Sequence, residues 1–81
     1  MSELGPISKA LLDVVNETFG FITPQKVTLE AANKTDAWHS NEWWFRRLVA
    51  LALEGRIEGH VFRKDDEVTI NFRRRQEAEG L

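Results

Sequence analysis

Two histidines and a neighbouring serine come nearest to catalytic or metal-binding chemistry in this chain. Ser40 directly follows His39, the second histidine is His60, and the chain has no cysteine. A serine nucleophile also needs an orienting acid and an oxyanion site, and zinc needs three or four ligands. A chain of 81 residues is also short for enclosing a substrate pocket. We therefore expect no enzymatic activity, no cofactor and no metal site, and both histidines to be structural or exposed.

An aromatic and arginine-rich segment at residues 41–47, NEWWFRR, suggests recognition of a macromolecule instead. An asparagine amide can pair with adenine, and an arginine guanidinium can pair with guanine or phosphate. Tryptophan beside arginine is also typical of the most strongly binding residues in protein interfaces. The segment alone leaves both double-stranded DNA and protein open as partners.

The charge distribution limits the first of these partners. The chain has 11 Lys+Arg against 13 Asp+Glu, a net charge of −2, whereas nucleic-acid-binding domains usually carry a basic surplus. Three consecutive arginines at residues 73–75 form a local exception. They either follow phosphates or form a solvated tail neutralised by Glu77 and Glu79.

Helical periodicity organises the first half of the chain. A first helix is predicted from Pro6 or Ser8 to about Thr18, ended by Gly20. Its apolar residues are spaced to share one face, and they are Ile7, Leu11, Val14, Val15 and Phe19. Residues 25–34 fit either a short strand followed by a short helix or one helix capped by Thr23. We favour the single helix.

The third helix is predicted from a cap at Ser40 or Asn41 to about Glu54, ending at Gly55. Its interior is apolar on nearly every side, which predicts burial on more than one face. Trp38 is expected to fill the space beneath the preceding turn, and Trp44 to pack inward with Leu48.

After Gly55 the apolar period changes to two, which predicts a hairpin. In residues 68–72, VTINF, the apolar side chains are expected to point inward and Thr and Asn outward, with the turn at Asp65 and Asp66. The sequence thus predicts one domain over residues 1–81, with residues 1–5 and 74–81 frayed.

The pattern Leu48-x-x-Leu51-x-x-x-Gly55-x-Ile57 resembles the end of the third helix in winged helix-turn-helix domains. The resemblance implies an α+β fold, a three-helix winged helix with a C-terminal hairpin. In DNA-binding members the third helix enters the major groove and the hairpin touches the backbone or minor groove. The resemblance therefore implies a small dimeric DNA-binding regulator, whose DNA-contacting residues are Asn41, Arg46, Arg47, Arg63, Lys64, Arg73, Arg74 and Arg75.

Several residues depart from that pattern and support an alternative. Large apolar groups at Trp43 and Phe45 are unusual in duplex readers, and Glu42 and the acidic hairpin tip repel phosphate. The alternative is a protein-interaction module that does not bind nucleic acid, most simply a homodimer. Its interface would use Trp43, Phe45, Val49 and Leu53.

No run approaches the 18 apolar residues that a membrane span needs. The first residues lack the basic start and apolar run of a signal peptide. We therefore expect a cytoplasmic location without membrane partners.

Overall fold

The computed structural model describes residues 5–75. Three helices are followed by two antiparallel strands, an α+β arrangement consistent with a winged helix. The elements are α1 (Pro6–Glu17), α2 (Pro24–Thr35), α3 (Asn41–Leu53), β1 (Ile57–Lys64) and β2 (Glu67–Arg74). The predicted fold class is confirmed.

Side-chain caps fix where α2 and α3 begin. The Thr23 hydroxyl accepts a hydrogen bond from the Lys26 N–H at 3.3 Å, and Pro24 occupies the first helical position. The Ser40 hydroxyl accepts from the Trp43 N–H at 3.2 Å in the same way. Such caps satisfy N–H groups that have no partner within the helix. The single-helix alternative for residues 24–35 is thereby confirmed.

Gly55 ends α3 and turns the chain into the hairpin. Its φ is 79°, a conformation that costs a side-chain-bearing residue free energy. The Gly55 N–H donates to the Ala52 carbonyl, and the Arg56 N–H donates to the Leu51 carbonyl, both at 3.0 Å. The predicted change from helix to strand at this glycine is confirmed.

The hairpin pairs Ile57 with Arg74 at its base and Lys64 with Glu67 at its tip. Asp65 in the two-residue turn has a φ of 54°, which aspartate tolerates better than most residues. Ile22 adds a bridge on the other edge of β2. Its N–H donates to the Phe72 carbonyl at 2.7 Å and its carbonyl accepts from the Phe72 N–H at 2.9 Å. An extended residue thus precedes α2 and extends the sheet.

The core lies where the three helices meet the base of the hairpin. Its buried residues are Ala10, Leu11, Val14, Val15, Ile22, Val27, Ala31, Ala32, Trp44, Leu48, Leu51, Ile57 and Phe72. The helix α3 contributes Trp44, Leu48 and Leu51, which lie on one face. The expectation that α3 is buried on more than one face is therefore wrong for the single chain.

Three side chains expected to point inward are exposed. Phe19 is 88% exposed because α1 ends at Glu17 and Thr18 is already extended, so helical spacing no longer applies to it. Trp38 is 65% exposed and does not fill the space beneath its turn, whereas Trp44 is buried in the core. Val68 is 59% exposed because β2 begins beyond the reach of the helices. Within residues 5–75, no helix has the length and apolarity to cross a membrane.

Candidate interaction groove between the third helix and the hairpin

A groove of about 580 Å³ lies where α2 begins, where α3 begins and along the outer half of β2. The cap at Thr23 starts α2 on one wall, the cap at Ser40 starts α3 on the second, and β2 forms the third. The lining residues are Thr23, Pro24, Gln25, Thr28, Asn41, Glu42, Phe45, Val68, Thr69, Ile70 and Asn71. We call this feature the α3–β2 groove.

The lining of the α3–β2 groove mixes apolar side chains with hydroxyl and amide groups, and it carries one charge, a carboxylate. Phe45, Val68 and Ile70 supply large apolar surface, and Phe45 also meets the buried Phe72 edge to face at 6.4 Å. Among the lining residues, Glu42 carries the one charge, and it is negative. The Arg46 guanidinium lies 3.5 Å from that carboxylate one helical turn along α3. The groove therefore carries no excess of positive charge.

The edge of β2 that runs along this groove carries main-chain N–H and carbonyl groups that point away from β1. Phe72 directs its N–H and carbonyl to Ile22, away from β1. Because these directions alternate along an antiparallel strand, Val68 and Ile70 direct theirs to the same edge. No partner for them is found in the part of the chain that the structure describes. The groove thus combines apolar side chains with unpaired backbone.

The hairpin arginines that were predicted to contact DNA are divided between its two faces. Arg73 lies opposite Glu58 and donates to its carboxylate at 2.7 Å, with its guanidinium 5.0 Å from the Phe21 ring centroid. Arg63 is five residues from Glu58 on β1, so its side chain lies on the opposite face. Arg73 and Arg63 therefore do not form one basic surface.

The remaining basic residues of that set make contacts within the chain or lie at its outer surface. Arg47 lies over the Trp43 ring at 4.7 Å from its centroid, and Arg74 lies over the Phe19 ring at 5.5 Å. Arg75 donates to the Gly55 carbonyl at 3.2 Å. The other members of the predicted set are exposed: the uncharged Asn41 at the groove, and Arg63 and Lys64 on the outer half of β1.

The residues predicted for a protein interface fall on two sides of α3. Phe45, Val49 and Leu53 recur every four residues and form one stripe. Phe45 lines the groove, Val49 is half-buried and Leu53 is 84% exposed. Trp43 is separate, because its ring stacks on His39 at 3.6 Å and packs against the core. The stripe is therefore available to a partner, whereas Trp43 already has neighbours within the chain.

Sequence reasoning missed a second aromatic cluster on the hairpin. The Phe21 ring meets His60 at 5.2 Å and Phe62 at 5.1 Å, both edge to face. The signal that could have revealed it is the pair Phe21-Ile22 in the extended segment before Pro24, which resembles a short strand. It also missed Gln25 and Thr28 as groove residues, because nothing in the sequence relates α2 to β2.

Comparisons of the chain with known protein families, curated proteins and solved structures find no match. Within residues 5–75, no group of three or more His, Cys, Asp or Glu side chains is placed to hold a metal ion. The case for a function therefore depends on the α3–β2 groove and on the chemistry of its walls.

Proposed function

We propose that this chain is a protein-binding winged helix whose α3–β2 groove takes an extended segment of a partner protein. The observation that carries the proposal is the lining itself, which combines Phe45, Val68 and Ile70 with a single charge, the carboxylate of Glu42. Apolar side chains beside unpaired strand backbone are the features by which a sheet edge binds an extended peptide.

The charges around the groove favour a protein over duplex DNA. Phosphate contacts from Lys and Arg supply most of the non-specific affinity of a DNA-binding domain. Here the basic residue beside the groove, Arg46, is paired with Glu42, and Arg73 is paired with Glu58 on the far face of the hairpin. The acidic turn at Asp65 and Asp66 adds repulsion at the tip that would approach the backbone.

The backbone of the groove indicates the conformation of the partner. Val68 and Ile70 present N–H and carbonyl groups along the β2 edge, next to the bridge that Ile22 already makes. An extended peptide can add to such an edge through main-chain hydrogen bonds, with alternate side chains entering pockets. The segment we expect carries an apolar residue against Phe45 and a Lys or Arg near Glu42.

Binding of duplex DNA is the second candidate, favoured by one observation. The first turns of α2 and α3 and the outer half of the hairpin converge on the same groove, and DNA-binding winged helices dock a helix and a hairpin on DNA in a similar way. The uncharged hydrogen-bonding side chains of Gln25, Thr28 and Asn41 would suit base edges.

A photocrosslinking amino acid at position 45 distinguishes the candidates. In the cells that produce the protein, p-benzoylphenylalanine in place of Phe45 should give protein adducts. The same replacement of Leu29, an exposed apolar residue of α2 outside the groove, is the matched control and should not. Adding Glu42→Lys should remove the adducts, because it repels a basic partner. Nucleic-acid adducts at position 45, together with steeply salt-dependent binding of random duplex by the purified chain, would establish the second candidate instead.

A further inference from the structure

The outer edge of β1 is a long and exposed strand edge. β1 runs for eight residues, and the part beyond Gly59 projects past the helices, so that Val61 is 67% exposed. β1 pairs with β2 on one side, and no strand within residues 5–75 pairs with its other side. Long exposed strand edges pair readily with other strands unless they are protected. The charged residues of this edge are of both signs, Glu58 against Arg63 and Lys64, so a second copy can match them.

The hydrogen-bond alternation shows which groups lie on that edge. Phe72 points its main-chain groups away from β1, so its partner Gly59 points its own away from β2. Val61 and Arg63 follow with the same direction. These three residues offer N–H and carbonyl groups, and none of those groups is hydrogen-bonded to the described residues.

We propose that two copies of this chain pair through their β1 edges, antiparallel about a two-fold axis at Val61. In this register, Val61 lies opposite Val61 of the second copy and Gly59 lies opposite Arg63. Each of these pairs can exchange two main-chain hydrogen bonds, so the three residues of each copy all find partners. The product is a continuous sheet in the order β2-β1-β1-β2.

The side chains of β1 are self-complementary in this register. On one face, Glu58 lies opposite Lys64 of the second copy, and His60 lies opposite Phe62. Lys64 thereby joins the carboxylate that already pairs with Arg73. The Phe21, His60 and Phe62 rings of the two copies become neighbours across the axis. Opposite charges and aromatic pairs across neighbouring strands each stabilise a sheet.

The remaining pairs offer no obstacle to this register. On the other face, Gly59 has no side chain to oppose Arg63 of the second copy, and the Phe72 and Ile70 side chains of its own chain lie over it. The exposed Val61 side chains of the two copies cover each other. The acidic turn of each copy reaches the base of the other hairpin, near Arg56. The α3–β2 groove lies along the opposite edge of the hairpin, so both grooves of the dimer stay open. The pairing is thus independent of what occupies the groove.

Solution mass by sedimentation equilibrium tests the proposal with the full chain. The wild type should sediment at twice the chain mass. Val61→Lys, which places two ammonium groups together at the axis, should sediment as a single chain. The matched control is Val68→Lys, because Val68 is similarly exposed on the same face but lies on β2; it should remain dimeric. Circular dichroism should show all three folded.

A backbone change keeps the test informative if the lysine variant fails to fold. A synthetic chain with an N-methyl group on the Val61 amide loses the edge hydrogen bond and keeps every side chain, and it should be a single chain in solution. A wild type that sediments as a single chain at its highest soluble concentration would overturn the proposal. A dimer that survives both changes at Val61 would also overturn it. Neither result would affect the crosslinking expected at position 45.

Discussion

The two halves of the hairpin share one alternating sequence pattern but have opposite environments. At the base, Ile57 and Phe72 are almost completely buried against the helices. Toward the tip, Val61 and Val68 alternate in the same way and are mostly exposed. Periodicity therefore specifies which face of a strand a side chain lies on, whereas the position of the helices decides how deeply that face is buried. The inner half stabilises the fold, and the outer half is available to partners.

The largest expected difference between the two halves is the loss of stability when a side chain is shortened to alanine. Phe72→Ala should lower the free energy of unfolding by about 3–5 kcal/mol, because it leaves a cavity at a fully buried ring. Val68→Ala, at the exposed end of the same strand, should change it by less than about 0.5 kcal/mol. Urea unfolding followed by far-UV circular dichroism measures both. Equal losses would mean that the tip is packed as firmly as the base.

The next largest loss of stability is expected at Gly55, which joins α3 to the base of the hairpin. Gly55→Ala should cost about 1–2 kcal/mol, because its φ of 79° lies in the left-handed region. An added Cβ would have no heavy atom closer than 3.9 Å, so the cost comes from the backbone and not from a clash. Gly55→Asn is the control, since asparagine tolerates a positive φ better than alanine does. Thermal unfolding should show a larger loss of stability for Gly55→Ala than for Gly55→Asn.

The smallest effect concerns ion pairs. Glu58 and Arg73 join β1 to β2 with side chains about 28% exposed, whereas Glu54 and Arg56 form a more exposed pair at the start of the hairpin. A double-mutant cycle should give a coupling of about 0.5–1 kcal/mol for the first pair and close to zero for the second. Raising the salt concentration should reduce the first coupling. Equal couplings would contradict the distinction drawn between these positions.

The helices, their caps and the hairpin could be predicted from the sequence because their signals are local. Ser40 and Thr23 cap helices through residues three positions away, and Gly55 ends a helix by its own φ. The three consecutive arginines suggest a single basic patch. In the structure, Arg73 contacts Glu58, Arg74 lies over the Phe19 ring and Arg75 donates to the Gly55 carbonyl. Such contacts depend on residues distant in sequence, and no local pattern encodes them.

The groove could be predicted only in part for the same reason. Phe45 was recognised as an unusual residue on α3, and it does line the groove. Thr28 and Ile70 could not be related to it, since they reach the same space from α2 and β2 only after the hairpin folds back. Nor does the sequence distinguish the environments of Trp38 and Trp43. Tertiary packing alone decides that Trp38 is exposed and that Trp43 stacks on His39.

The bridge between Ile22 and Phe72 has a mechanical consequence for the hairpin. The N–H and carbonyl groups of Phe72 are both hydrogen-bonded to Ile22, in the segment between α1 and α2. The base of the hairpin is therefore attached to the segment that joins these two helices. The tip has no such hydrogen bonds to the helical part of the chain among residues 5–75, so we expect it to move more than the base. Amide hydrogens at Ile22 and Phe72 should accordingly exchange with solvent more slowly than those on the unpaired edges, at Val61, Arg63 and Val68, in the single chain. A ligand in the groove would then contact a strand, β2, that is held at Phe72 and is freer to move toward its tip.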